Sequence, residues 1–231
     1  MDELKVLLEQ LNIKGAEEKI RTLENYMEGV LRWNEKVNLT AITDRKEFIQ
    51  KHYIDSLMCA GSLEFTKASS ICDVGTGGGF PGVPLAVCFP EKEFVLMDSL
   101  GKRVKIVNEL CEETGICNVI AVHGRAEELA RRPEYRENFD LCLSRAVANM
   151  RVLCEYCLPF VKKGGTFIAY KGAGCRQELD EAEKAIRLLG GEKPRIENLS
   201  QLDHSLVFIC KTENTPKTYP RKAGTPAKSP L

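Results

Sequence analysis

The spacing of apolar residues divides the chain into two parts. In about the first 65 residues they recur at intervals of three and four, which is typical of amphipathic helices. Gly15 and the stretch 38–43 interrupt this pattern. From Ser69 onward, short apolar runs alternate with amphipathic segments, so we expect a domain boundary near residue 66. The helical apolar residues form two sets, Leu4, Leu7, Leu8 and Leu11, then Ile20, Leu23, Met27, Val30 and Leu31.

The second part predicts an α/β fold with a doubly wound, mostly parallel sheet of six or seven strands. The predicted strands are Ser70–Val74, Glu93–Asp98, Val119–His123, Leu141–Ser144, Thr166–Lys171 and Ser205–Lys211, with a weaker one at Arg195–Leu199. The predicted helices are Gly82–Cys88, Gly101–Thr114, Arg125–Arg131, Met150–Leu158 and Arg176–Leu189. We therefore expect an N-terminal helical region at 1–66, an α/β domain at 67–213, and a basic, Pro-rich tail at 214–231.

Length and cysteine usage favour a cytoplasmic protein. A chain of 231 residues buries a sizeable core without disulfides. Its ten cysteines lie mostly in apolar runs, where a free thiol behaves as a small hydrophobe, and this suits a reducing cytosol. The opening MDELKVLLEQL carries acids among its apolar residues, unlike a secretory signal, and no apolar stretch reaches membrane-spanning length.

A glycine-rich loop, residues 73–81, follows the first predicted strand and precedes a helix. Glycines let the backbone turn sharply and approach a ligand, so we expect a cofactor site here; the alternative is a tight turn without a ligand. A nicotinamide fingerprint needs glycine at its sixth position, where Phe80 stands, and this disfavours an oxidoreductase. The pattern D-x-G-x-G-x-G instead resembles motif I of class I methyltransferases.

Three further strand ends carry polar residues. Asp98 ends the second strand, where it can accept hydrogen bonds from ribose hydroxyls; alternatively it is a helix N-cap. Arg125-Ala126-Glu127 follows the third strand, and Glu127 is either a ligand contact or an acid in a helix's first turn. Arg145 follows the fourth strand and either faces the ligand crevice or forms a structural ion pair.

Together these blocks resemble the ribosomal RNA small subunit methyltransferase G family, from residue 33 to the C-terminus. The blocks beyond motif I make the resemblance specific. They are Trp33–Thr40, His52–Leu57, Gly75–Gly82, Asp98–Arg103, Ser144–Ala146, Lys171-Gly172 and Tyr219–Pro226. The resemblance implies a class I methyltransferase fold with an N-terminal helical extension, S-adenosylmethionine as donor, and methylation of N7 of a guanosine in the 530 loop of 16S rRNA.

The resemblance also implies roles for individual residues. The implied cofactor contacts are Gly75, Gly77, Phe80, Asp98, Ala126, Glu127 and Arg145. His52, Asp55, Arg145 and Lys171 would line the RNA-facing side, with His52, Arg145 and Lys171 in the catalytic centre. His52 and Asp55 could instead pair with each other on one helix face. We expect 16S rRNA or the small ribosomal subunit as partner, a monomer, and neither a metal nor a membrane.

The implied chemistry needs no general base. Guanine N7 attacks through a lone pair and has no proton to lose, so alignment and desolvation should carry the reaction. Arg145 and Lys171 are predicted to position the guanine and its phosphates. A donor on N7 would block the reaction, which favours contacts to phosphate or O6.

Basic charge is concentrated at the C-terminus, although Lys plus Arg equals Asp plus Glu at 33 each overall. From residue 211 onward there are five cations against one acid. We expect this segment to gain little by folding alone and to steer RNA phosphates through Lys217, Arg221 and Lys222; the alternative is a disordered, solubilising end.

Other functions remain as alternatives. Cys154-x-x-Cys157 is not interpreted as a zinc or redox site, because it lies on a predicted amphipathic helix without a second ligand pair. A small-molecule methyltransferase with the N-terminal helices as a lid is one alternative. A non-catalytic RNA-binding or assembly factor is another, but it does not need the intact glycine loop or Asp98.

Overall fold

A computed structural model describes residues 1–172, 174–199 and 204–231, apart from the side chain of Leu199. The N-terminal region is helical, as predicted. Its helices are α1 (Asp2–Gln10), α2 (Ala16–Asn34), α3 (Arg45–Phe48), α4 (Asp55–Leu57) and α5 (Leu63–Lys67). A π-helical segment at Ile49–Ile54 joins α3 to α4, and a 3₁₀ turn at Met58–Gly61 precedes α5. No helix in the described ranges is both long and apolar enough to cross a membrane.

The remaining residues build a seven-stranded sheet in the order β3-β2-β1-β4-β5-β7-β6. The strands are β1 (Ser70–Val74), β2 (Glu93–Asp98), β3 (Val119–His123), β4 (Phe139–Arg145), β5 (Val161–Gly172), β6 (Arg195–Leu199) and β7 (His204–Cys210). The helices are α6 (Gly82–Cys88), α7 (Gly101–Glu113), α8 (Ala126–Leu129), α9 (Met150–Cys157), α10 (Cys175–Leu188) and α11 (Thr225–Lys228). β1 to β5 are parallel, and β7 is antiparallel to both of its neighbours. The predicted doubly wound α/β fold is confirmed.

The sheet places the candidate residues at one edge. β1 lies between β2 and β4, so the chain reverses its winding direction beside β1. Ligands of such sheets bind in the crevice outside the carboxyl ends of the strands at this switch point. The loop after β1, the end of β2 and the end of β4 therefore meet at the expected crevice.

The N-terminal helices share one hydrophobic core with a face of the sheet. Leu4, Tyr26 and Phe48 are fully buried in the same cluster as Ile71 and Leu141 of the central strands. The Tyr26 hydroxyl also donates to the carbonyl of Gly78 in the glycine loop, at 3.0 Å. The predicted boundary near residue 66 falls at the end of α5, but no gap in packing separates the two regions.

The C-terminal segment packs against the α/β domain, so the alternative of a disordered end is not what the structure shows. Thr215 and Pro226 are buried, and Tyr219 and Leu231 pack against the apolar cluster behind the sheet. Arg136 donates to the carbonyl oxygens of Thr215 and Tyr219 at 2.8 and 2.9 Å. As expected, the segment has no core of its own: its main-chain carbonyls and a few side chains are held by the domain.

Candidate active site

The glycine-rich loop adopts a conformation that its sequence requires. Gly75 and Gly77 have φ angles of +78° and +60°, in the left-handed region where a Cβ is strained. Asp73, which heads the loop, is fully buried and accepts hydrogen bonds from the Thr76 hydroxyl at 2.7 Å and the Gly82 N–H at 3.0 Å. Burial raises the pKa of Asp73 to about 6. Asp73 therefore shapes the loop from inside.

Asp98 joins the end of β2 to the glycine loop. One carboxylate oxygen accepts from the Gly77 N–H at 3.0 Å and the other from the Leu100 N–H at 2.8 Å. The Arg103 guanidinium lies 3.9 Å away. Asp98 precedes α7 by more than one residue, so it is not that helix's N-cap, although it does hold the chain entering the helix. Its position fixes a carboxylate at the mouth of the crevice.

Two cavities meet at Gly75. The larger, of about 550 Å³, is lined by Gly75, Gly77, Phe80, Arg145, His52 and Lys171 of the predicted set. The smaller, of about 130 Å³, is lined by Gly75, Asp98, Ala126 and Glu127 of that set, and by Val147 and Tyr156. The structure thus brings together all predicted cofactor and catalytic residues at two adjoining cavities.

The glycines at this junction differ in the space around them. A Cβ at Gly75 would collide with the Val147 side chain, which lies against the loop. A Cβ at Gly77 would meet no atom within 4 Å and would project into open space. The backbone around Gly77 is therefore an open cradle that a side chain would fill.

Arg145 stands at the centre of a polar cluster in the larger cavity. Its guanidinium donates to Asp55 at 2.5 Å and to the Lys51 carbonyl at 2.8 Å. Asp55 is almost completely buried, and its other oxygen lies 2.8 Å from Nδ1 of His204. The structural ion pair considered for Arg145 therefore exists, and it holds the guanidinium at the cavity wall.

His52 is fixed on three sides. Its ring stacks on Phe80 with centroids 4.3 Å apart, Nε2 lies 2.7 Å from the Thr40 hydroxyl, and Nδ1 lies 3.3 Å from Arg145. Burial, and then the charge of Arg145, lower the pKa of His52 to about 4. Because Arg145 can only donate, Nδ1 accepts and Nε2 carries the proton. The alternative of a direct pairing of His52 with Asp55 is not what the structure shows, because Arg145 contacts both of them instead.

Lys171 also lines the larger cavity, near the end of β5. Its ammonium group lies 2.7 Å from the Glu178 carboxylate and donates to the Ala148 carbonyl at 3.1 Å. The Ala148 contact attaches Lys171 to the segment that carries Val147 over Gly75. Lys171 is consequently linked to the conformation of that segment as well as to the cavity.

Two residues of the cluster were missed in the sequence. Thr40 accepts from the Ile42 N–H and contacts His52, although only its block had been noted as a resemblance. His204 begins β7, and it reaches the site because β7 pairs antiparallel with β5 and places His204 beside Gly172. Only knowledge of that pairing would have revealed His204.

The three predicted RNA contacts of the tail lie outside both cavities. Lys217 and Lys222 are exposed. Arg221 is not free for phosphate, because its guanidinium binds the fully buried carboxylate of Glu155 at 2.6 Å. A buried carboxylate needs a partner, and Arg221 is that partner, so the phosphate contact predicted for Arg221 stays a prediction that competes with this ion pair.

Two other features do not belong to this site. A cavity of about 740 Å³ between α10 and β6 shares no lining residue with either cavity at the glycine loop. Cys154 and Cys157 are buried in α9, and within the described ranges no group of His, Cys, Asp and Glu is arranged to hold a metal ion.

Known proteins resemble this chain in sequence over most of its length. Residues 19–207 match the family model described as rRNA small subunit methyltransferase G. A protein named ribosomal RNA small subunit methyltransferase G from Clostridium novyi is 46% identical over 100% of this chain and 96% of its own length. One of the same name from Clostridium tetani is 47% identical over 93% of this chain and 92% of its own length.

Solved structures resemble the chain in fold. An O-methyltransferase from Bacillus cereus, in complex with SAH, has a TM-score of 0.55 at 18% identity, covering 80% of this chain and 90% of its own. A variant of MtNAS in complex with S-adenosylmethionine has a TM-score of 0.58 at 14% identity, covering 91% of this chain and 77% of its own. The class I methyltransferase fold is confirmed.

The relatives also confirm the predicted activity. The resemblance noted in the sequence and the methyltransferase activity directed at rRNA follow from matches that extend over nearly the whole chain. The chain belongs to the rRNA small subunit methyltransferase G family.

Proposed function

We propose that this enzyme transfers the methyl group of S-adenosylmethionine to N7 of a guanosine in the 530 loop of 16S rRNA. The observation that carries the proposal is the placement of Arg145, His52 and Lys171 on the cavity that adjoins the glycine loop, in a chain of this family. We further propose that the enzyme acts in the cytoplasm as a monomer, on 16S rRNA or the small ribosomal subunit.

The donor would be held at the junction of the two cavities. Gly77 offers backbone that a ligand can approach closely, and the open space beside it is what a bulky amino acid portion needs. Gly75 lies against Val147 and lines both cavities. Asp98, Ala126 and Glu127 line the smaller cavity, where a ribose and an adenine would bind. When bound, S-adenosylmethionine supplies an electrophilic methyl group. Phe80 contributes mainly as an anchor, since its ring is 5% exposed and packs on His52, Phe48 and Tyr26.

The electrostatics of the larger cavity suit a nucleophile that has no proton to lose. The low pKa of His52 keeps its ring neutral, and both ring nitrogens already have partners. His52 is thus a positioning residue for Arg145 rather than a general base. Guanine N7 needs no base, because it attacks through its lone pair, and alignment of the reactants alone is worth up to roughly 7–11 kcal/mol.

Arg145 and Lys171 would orient the substrate. Arg145 is fixed by Asp55 and the Lys51 carbonyl, so its guanidinium presents a planar set of donors in one orientation. Such donors suit guanine O6 or a phosphate, and they must avoid N7, whose lone pair reacts. Lys171, which lines the same cavity, is held by Glu178. The two cations would therefore contact the RNA together.

The alternatives receive less support. A lid made of the N-terminal helices would have to separate from the loop, yet Tyr26, Phe48 and Tyr53 are fully buried around Phe80. A non-catalytic assembly factor has no use for a buried Asp73 that shapes the loop or for Asp98 that fixes Gly77.

Methyl transfer to defined RNA tests the proposal. The enzyme is incubated with tritiated S-adenosylmethionine and 16S rRNA, free or in small subunits, and the modified base is mapped. We expect one guanosine of the 530 loop to be labelled. An RNA carrying 7-deazaguanosine at that position is the matched control, because it keeps O6 and the phosphates but lacks N7. Labelling of the 7-deaza RNA, or of another base, would contradict the proposal.

A further inference from the structure

The C-terminal segment runs behind the smaller cavity, along α8 and α9. Arg131, just after α8, donates to the Pro220 carbonyl at 2.5 Å. Arg151 of α9 donates through Nε to the carbonyl of Leu231, also at 2.5 Å. The chain from Pro220 to Leu231 is thus attached at both ends to the elements that build one wall of the cavity.

Arg221 makes the strongest of these attachments. Its Nε donates to Oε1 and Oε2 of Glu155 at 3.0 and 3.1 Å, and its Nη2 donates to Oε2 at 2.6 Å. The backbone N–H of Arg221 also donates to Oε1, at 2.7 Å. The Glu155 side chain is 0% exposed. The hydrogen bonds from Arg221 satisfy a carboxylate that would otherwise be buried without a partner. Glu155 precedes Tyr156 in α9, and Tyr156 lines the smaller cavity.

Gly224 contacts the cavity wall directly. Its backbone N–H donates to Oε1 of Glu127 at 2.8 Å. Glu127 is 4% exposed and lines the smaller cavity beside Asp98. Gly224 has a φ of +79°, a conformation that glycine adopts without strain and that turns this N–H toward the carboxylate. The hydrogen bond uses one oxygen of Glu127 and fixes the orientation of the other.

We propose that the segment 221–224 is a positioning element of the donor site, acting through Glu127. This inference rests on the proposed donor site at the smaller cavity. Gly224 orients the Glu127 carboxylate. The Arg221–Glu155 pair fixes the position of the segment against α9. The charge of Arg221 therefore serves donor binding and not RNA binding. The exposed side chains of Lys222, within this segment, and of Lys217, outside it, have no part in donor binding.

The test is calorimetric titration with S-adenosylhomocysteine, with unfolding of the unliganded protein followed alongside. The variants are Arg221→Ala, the double variant Arg221→Ala with Glu155→Gln, which leaves no unpaired buried carboxylate, and Lys228→Ala, an exposed cation of the C-terminal segment, as the matched surface control. Loss of an oriented, charged hydrogen bond is expected to weaken binding about tenfold in the first two. Lys228→Ala should bind as the wild type does.

The same titrations in a Glu127→Gln background separate positioning from general destabilisation. If the segment acts through Glu127, Arg221→Ala should cause much less further loss in that background. Equal losses in both backgrounds, or no loss in either, would overturn the inference. Asp98→Asn marks the donor site itself. Normal binding by Asp98→Asn would refute the site and this inference together, whereas weak binding by Asp98→Asn with additive losses at Arg221 and Glu127 would refute the inference alone.

Discussion

The ring of His52 lies parallel to the ring of Phe80, with an interplanar angle of 5° and centroids 4.3 Å apart. His52 belongs to the π-helical segment of the N-terminal region, whereas Phe80 belongs to the glycine loop. Phe80 also packs edge-on against Phe48, with ring centroids 5.5 Å apart, so the N-terminal region supports one side of the glycine loop. The N-terminal helices are therefore built into the active site.

This packing predicts a pH dependence that can be assigned to His52. Burial and Arg145 lower the pKa of His52 in the folded protein to about 4, from an ordinary 6.5. Between these values the unfolded chain binds a proton that the folded chain does not, so the His52 contribution to stability rises with pH. We expect the stability of the wild type relative to His52→Gln to decrease as pH falls through this range. Urea unfolding of both proteins at the two ends of the range measures it.

The pH dependence of His52 has to be measured as the difference in stability between the wild type and His52→Gln, because Asp73 titrates in the same pH range in both proteins. Its pKa is raised to about 6, so the folded protein holds a proton that the unfolded chain loses, and its contribution to stability falls as pH rises from 3.8 to about 6. The two groups oppose each other over much of the same range. A difference between wild type and His52→Gln that stays constant with pH would disprove the assignment to His52.

A second prediction concerns the open cradle of the glycine loop. Gly77→Val should place a side chain in the space that the donor needs, and donor binding should fall below detection. Gly115 is the matched control, because it also has a positive φ, of +72°, and open space around it, but lines neither of the two active-site cavities. Gly115→Val should carry a similar backbone strain and bind the donor normally. Calorimetry measures binding, and far-UV circular dichroism checks the fold; donor binding by a folded Gly77→Val protein would rule out the site.

A third prediction separates substrate positioning from donor binding. Lys171→Ala should reduce methyl transfer to rRNA about tenfold to a hundredfold by misplacing the substrate. Donor affinity should stay within a few-fold of wild type, since Lys171 is expected to contact RNA. Glu178→Gln, which keeps Lys171 but removes its charged partner, should reduce transfer less. A parallel loss of donor affinity in Lys171→Ala would show that its bond to the Ala148 carbonyl matters more than contact with RNA.

Local pattern predicted most of the sheet. β1, β2, β3 and β6 have the predicted ends. For β1, β2 and β3 the reason is that apolar runs bounded by polar residues or glycine mark strands. β5 begins at Val161, earlier than predicted. The sequence pattern missed this start because Lys162, Lys163 and Gly164 are polar or flexible and do not look like part of a buried strand. Their extended geometry is stabilised by a distant part of the same chain, since the carbonyl of Lys211 accepts from the Gly164 N–H at 2.7 Å. A contact between distant residues leaves no trace in local periodicity.

The candidate site also combines features that local sequence predicts with contacts between distant residues that it does not. The glycine loop and Asp98 lie next to strand ends, so sequence order alone brought them together. Arg221 and Glu155 are 66 residues apart, and neither position indicates a partner. The predicted role of Arg221 came from counting charges, and charge counting cannot distinguish a cation that faces solvent from one that neutralises a buried carboxylate.

The last prediction assigns the remaining cations of the tail. Lys217 and Lys222 are exposed, so they can neutralise RNA phosphates, whereas Arg221 is occupied by Glu155. Each contact to single-stranded or loop RNA contributes roughly 0.7 to the slope of log K against log salt. Replacing Lys217 and Lys222 with Ala should therefore reduce the slope by about 1.4, while Arg221→Ala should leave it unchanged. RNA binding at several salt concentrations measures the slopes, with donor affinity checked alongside. An unchanged slope in the double variant would mean that the tail does not touch the RNA, and a reduced slope in Arg221→Ala would mean that Arg221 leaves Glu155 when RNA binds.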